Sequence, residues 1–148
     1  LMSYSFEHCL LFGKVLLSEN KDGCVMLLYP SLKKTTFSTL LLDIKFVFHI
    51  GLFHAIKAMN REKEIKRYHP TSPFCHLWFI GVLPSQQGKG IGNRLLNEVM
   101  ASESLPIYLE TSVKNNISWY ERKGFHSFQE LNFPQSKDKT YTLTLMKK

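Results

Sequence analysis

Residues 77–96, LWFIGVLPSQQGKGIGNRLL, run from an apolar strand through a proline into a glycine loop that opens a helix. Such a junction is suited to holding phosphate. Glycines at 88, 90 and 92 carry no Cβ, so the backbone can approach an anion and turn its N–H groups inward. A helix starting near Ile91 adds the positive end of its dipole, and Lys89 adds a full charge.

Two common nucleotide motifs fail here. A Walker loop reads G-x-x-x-x-G-K-S/T and a dinucleotide fingerprint G-x-G-x-x-G, but Asn93 and Leu95 stand where a third glycine would be required. The residues spell instead Gln87-x-x-Gly90-x-Gly92 after a strand ending Gly81-Val82-x-Pro84. This resembles the acetyl-CoA pyrophosphate loop of the GNAT superfamily of N-acetyltransferases. Residues 108–125, YLETSVKNNISWYERKGF, look like that family's next strand and its following helix. The Tyr-x-x-x-Gly-Phe signature falls at Tyr120, Gly124 and Phe125, before the turn into a last hairpin. The resemblance covers residues 77–125, and the first half of the chain carries no comparable signature.

The implied fold is α/β (α+β), a GNAT-like mixed, mostly antiparallel splayed sheet flanked by helices. The 148 residues, 44% hydrophobic and 13% aromatic, suffice for the core of one domain. Along the chain, residues 1–12 fit a short amphipathic helix ended by Gly13, and residues 13–18 and 23–29 are β-capable runs. They are joined by Asn20-Lys21-Asp22-Gly23, a hairpin signal because Asn, Asp and Gly tolerate positive φ. Apolar residues recur at helical spacing over residues 36–67, which predicts two helices broken near Gly51. Strand 74–82 is almost uninterruptedly apolar, as a central strand covered on both faces would be. A helix with the stripe Ile91, Leu95, Leu96, Val99 and Met100 follows, then strand 107–111, a helix over 116–123 capped by Gly124, and a hairpin of 125–133 with 139–146.

The chain departs from the family in two ways. If residues 1–12 are the family's second helix, its first strand and first helix are absent, and a start at Leu1-Met2 suggests a piece of a longer protein. The helical insertion 36–67 is longer than the family needs, and its aromatic residues suggest a substrate lid or the interface of a homodimer.

Composition limits the alternatives. Nineteen Lys and Arg against twelve Asp and Glu give a net charge of +7, which favours polyanionic partners. The charge is dispersed, so nucleic-acid binding is not expected. Cys9, Cys24 and Cys75 form no C-x-x-C pair and read as buried thiols in a reducing cytoplasm. His8, His49, His54, His69 and His126 have no spacing that would hold a metal, and no metal is expected. Residues 37–53, broken by Asp43, Lys45 and His49, are too polar for a membrane span.

The resemblance implies acetyl transfer from acetyl-CoA to a primary amine, on a small molecule or a peptide. Pantetheine and the thioester carbonyl would bond main-chain N–H groups near Ile80 and Val82, with Val82 as the oxyanion donor. The pyrophosphate would lie over Gln87, Gly88, Lys89, Gly90, Ile91, Gly92 and Asn93, and Asn116 could bond the pantetheine arm or simply serve as an N-cap. Tyr120 matches the family tyrosine that faces the coenzyme sulfur, and a phenol can protonate a thiolate. For the base, Glu110 on its strand and His76 at the mouth of the preceding one both qualify. Outside this resemblance each has a plain role, as core aromatic, surface charge or structural histidine. The rival reading is a CoA-binding module with a regulatory role and no catalysis.

Overall fold

A computed structural model describes residues 2–34, 37–136 and 139–148, so the expected starts at residues 1 and 36 lie outside the described residues. The elements in order are helix α1 (Met2–Phe12), strands β1 (Gly13–Leu17) and β2 (Gly23–Leu28), helices α2 (Phe37–Ile50) and α3 (Leu52–Lys66), and strand β3 (Cys75–Val82). Helix α4 (Ile91–Ser102), strand β4 (Ile107–Thr111), helix α5 (Lys114–Glu121) and strands β5 (His126–Ser136) and β6 (Lys139–Lys147) follow. They fall into two compact units, Leu1–Thr39 with Pro73–Ile107, and Leu40–Ser72 with Tyr108–Lys148.

In the first unit β1, β2 and β3 pair antiparallel in that order. The expected hairpin forms, with Ser18 N–H donating to Gly23 O at 2.9 Å and Lys21 N–H to Ser18 O at 2.8 Å. The positive φ falls on Lys21 (58°), and not on the Asn, Asp or Gly that tolerate it more readily. Asp22 instead accepts the Ser18 hydroxyl, while Gly23 serves packing: a Cβ there would stand 2.8 Å from Ile91 Cγ2. Gly13 likewise is more than a helix stop, since a Cβ on it would overlap Leu27 O at 1.8 Å.

Side chains alternate across β2. Met26 and Leu28 join Cys9 and Phe12 of α1 in one cluster, against which Val15, Cys24, Trp78 and Phe79 pack. The α4 stripe Ile91, Leu95, Leu96 and Val99 is buried, as its spacing predicts. Strand β3 is covered only in part. Cys75, His76 and Leu77 are buried, Trp78 to Ile80 are half-buried and Gly81 is exposed, so its accessible end is the one that enters the glycine loop.

In the second unit β4, β6 and β5 pair antiparallel in that order. Ile65 of α3 packs with Leu131, Leu143 and Leu145, joined by Phe128, Phe133 and Tyr141. Gly51, at φ +79°, breaks α2 from α3 where the sequence predicts, and Ala55 N–H reaches back to its carbonyl at 3.0 Å. The outer faces of these helices are apolar, with Phe48 85% and Phe53 79% exposed. Helix α5 starts two residues before the expected position, at Lys114 after Val113, so Asn116 lies in its first turn and is not the N-cap. Gly124, at φ +83°, closes it as expected, with Phe125 N–H on Tyr120 O at 3.1 Å. Among the described residues no helix is long and apolar enough to cross a membrane.

Candidate active site

The glycine loop is built by three local devices. Pro84–Gln86 form a 3-10 turn that stops β3, and Leu83 N–H donates to Asp22 O at 2.8 Å, tying the loop to the β1–β2 turn. Gly88 and Gly90 have φ of +78° and +76°, a region in which a side chain strains the backbone. Gly90 is the N-cap of α4, and the first intrahelical bond is Arg94 N–H to Gly90 O at 3.0 Å. The amides of Ile91 and Gly92 precede that bond and project from the positive end of the helix.

The three glycines therefore differ. Gly88 and Gly90 satisfy a dihedral demand, while Gly92 is helical. Nothing stands within 4 Å of a Cβ built on Gly88, and only Arg94 Nη1, at 3.8 Å, near one on Gly90. The surface over the loop is thus open to a ligand. Lys89 Nζ donates to Gln86 Oε1 at 2.8 Å, Gln87 Nε2 to Val82 O at 3.3 Å, and Arg94 Nη1 to Lys89 O at 3.4 Å. Arg94 is a cation the sequence reading missed, because it is defined by its place one turn above Gly90 and not by the motif. Main-chain donors, two cations and no acidic residue in the first turn of α4 suit a phosphorylated ligand. Ile80 and Val82 are half-buried opposite Val25 and Gly23.

Of the base candidates, His76 lies in the buried half of β3, 6% exposed, its ring stacked on Trp78 at 6.1 Å and 19°. It sits near the start of β3, at the end away from the glycine loop. In the second unit, Glu110 projects from the face of β4 opposite to Leu109 and Thr111, and its Oε1 lies 2.8 Å from His69 Nε2. Their side chains are 11% and 9% exposed. His69 is the second residue missed, since only its spacing as a metal ligand was weighed.

Tyr120 is 6% exposed and packs T-shaped on Phe125 at 5.4 Å. Burial pushes its phenol up to about 12, so it is protonated near neutrality, the form that can donate. Asn116 is exposed on α5, one turn before Tyr120. Trp78 and Phe79 pack against the cluster of the first unit, and in the second Tyr108 stands edge-on to His69 and Phe128.

Residues 52–127, slightly more than half of the chain, match the family model described as acetyltransferase (GNAT) domain, and the chain belongs to that family. Its fold is similar to that of the histone acetyltransferase HPA2 and related acetyltransferase from Corynebacterium glutamicum, with a TM-score of 0.59 and 17% identity over 98% of this chain and 69% of that one. It is also similar to the Drosophila melanogaster polyamine N-acetyltransferase, an enzyme that catalyses the formation of N-acetylagmatine (TM-score 0.54, 13% identity, 88% and 71% covered). Arabidopsis thaliana NAA60 in complex with acetyl-CoA matches with a TM-score of 0.50 and 17% identity, over 86% of this chain and 64% of its own, so this chain spans less than two thirds of that relative. The mixed, mostly antiparallel fold flanked by helices that the two motifs imply is the fold of these proteins.

Proposed function

We propose that the chain transfers an acetyl group from acetyl-CoA to a primary amine by direct attack. The observation that carries this reading is the loop over Gly88 and Gly90, whose left-handed glycines lead into the N-terminus of α4. The acetyl-CoA complex of the similar NAA60 structure supports acetyl-CoA as the donor. The coenzyme pyrophosphate lies on the amides from Gln87 to Asn93, with Lys89 and Arg94 beside it. Pantetheine is held by main-chain groups near Ile80 and Val82 and by Asn116.

In the reaction the acceptor ammonium loses a proton to Glu110 and its nitrogen attacks the thioester carbon. The C–N bond forms, the C–S bond breaks, and Tyr120 protonates the departing thiolate. Glu110 is preferred over His76 as base because His76 is buried in an aromatic stack. A small amine or a peptide amine fits as acceptor. A panel of both, incubated with acetyl-CoA and followed by thiol release, tests the reading: turnover with at least one amine is expected, and CoA binding without turnover on any would favour a regulatory CoA-binding module.

A further inference from the structure

We infer that His69 is the positioning residue of the general base, holding the Glu110 carboxylate in its ionised, oriented form. The inference rests on the transferase reading above and deepens it. The two residues are 41 positions apart, and the fold brings Nε2 to 2.8 Å from Oε1. A carboxylate only 11% exposed is strongly disfavoured as an anion unless a donor meets it, and His69 is such a donor with Nε2 protonated.

The placement follows from packing. Glu110 lies directly opposite Leu145 in the β4–β6 ladder, and Leu145 is fully buried against Ile65 of α3. The helix that covers this face of the sheet therefore ends beside the carboxylate. After Lys66 the chain closes two tight bonds, Tyr68 N–H to Ile65 O at 3.0 Å and His69 N–H to Lys66 O at 3.3 Å, which set the backbone of His69. Its ring stands edge-on to Tyr108 at 6.1 Å and 74°. Ring and carboxylate are both held by rigid neighbours, the condition for keeping a base aligned with its substrate. On this reading the long helical insertion brings His69 to the base, a chemical role distinct from a lid.

The acceptor ammonium gives one proton to Glu110, which passes it to solvent. After C–N bond formation the nitrogen loses its second proton, the departing thiolate takes the phenol proton of Tyr120, and that second proton, relayed through solvent, restores the phenol, so that one proton is released in all.

Steady-state kinetics of the full chain with acetyl-CoA and the best amine of the panel test the role. His69→Ala should lower kcat about tenfold to a hundredfold with the KM for acetyl-CoA unchanged, by analogy with other partners that only orient a reacting group. His69→Gln, which can still donate to Glu110, should recover most of the loss. The double variant with Glu110→Gln should be no slower than Glu110→Gln alone, because His69 acts through that carboxylate. The rise of the thermal midpoint with CoA reports folding of each variant. If His69→Ala does not fold, His69→Asn, too short to reach Glu110, replaces it. Unchanged kcat in His69→Ala, no recovery in His69→Gln, or multiplicative losses in the double variant would overturn the role. A wild-type chain with no turnover on any amine overturns the transferase reading, and this one with it.

Discussion

Tyr29 donates its hydroxyl to Glu103 Oε2 at 2.7 Å, joining positions 74 residues apart. The other carboxylate oxygen accepts the N–H groups of Ser104 and Leu105, each at 3.0 Å. The helix that carries the glycine loop at one end is thereby tied at its other end to the segment after β2. Burial alone would raise the Glu103 pKa, but the Tyr29 hydroxyl, the Leu105 amide, the Lys14 charge and the Ser104 amide together hold it below the usual 4.5. A depressed pKa contributes stability that is present above the unfolded value and lost as pH falls through the folded one. Tyr29→Phe should therefore lower stability by about 1–2 kcal/mol at neutral pH and soften the loss below about pH 4.5. Thermal melts at neutral and acidic pH, compared with wild type, measure both effects.

Gly88→Val and Gly90→Val should each strain the loop by about 1–2 kcal/mol, because both positions have left-handed φ. Gly92 is helical, so Gly92→Val should leave the melting temperature close to wild type yet still weaken CoA binding by obstructing the pyrophosphate. Calorimetric titration with CoA separates the two: wild-type affinity in a folded Gly92→Val would mean that the loop is a structural turn and no more.

Tyr120→Phe keeps the ring that packs on Phe125 and removes only the hydroxyl. It should bind acetyl-CoA with nearly unchanged affinity and turn over roughly tenfold to a thousandfold more slowly. Equal kcat in the two proteins would assign Tyr120 to the core.

Alkali should destabilise the fold in a defined window. Burial raises the Cys9 thiol from 9.0 to about 11, against the opposing charge of Lys33. Burial, aided by the charge and hydrogen bond of Glu103, raises Cys75 from 9.0 to about 12, and burial raises Tyr120 from 10.0 to about 12. Each contribution is complete below the unfolded pKa and is lost as pH rises through the folded value. The thermal midpoint should be level up to about pH 9 and fall beyond it, and Cys9→Ala should flatten the part of that fall below about pH 11.

The two faces of α3 should answer differently to substitution. Ile65 is 4% exposed in the second unit's core, so Ile65→Ala should cost about 2–5 kcal/mol, whereas Phe53, 79% exposed, should tolerate Glu within about 0.5 kcal/mol. Chemical denaturation of both variants checks the assignment, and a large loss in Phe53→Glu would place that ring in a buried contact.

The sequence by itself determined what depends on neighbours along the chain. The break at Gly51, the cap at Gly124, the α4 stripe and the glycine loop were legible because dihedral tolerance and the period of a helix are written within a few residues. The same local logic misled where tertiary contact set the outcome. It assigned positive φ to the residues that tolerate it best while the turn closes through Lys21, and it found in Gly13 the end of α1 but not the Leu27 carbonyl that leaves no room for a Cβ there. It read β3 as covered throughout, although the coverage fades toward Gly81. The partners of Glu110 and Glu103 were decided only by the fold. A carboxylate's need for a donor is local, but which donor meets it depends on how α3 and α4 pack against the strands, and no spacing along the chain encodes that geometry.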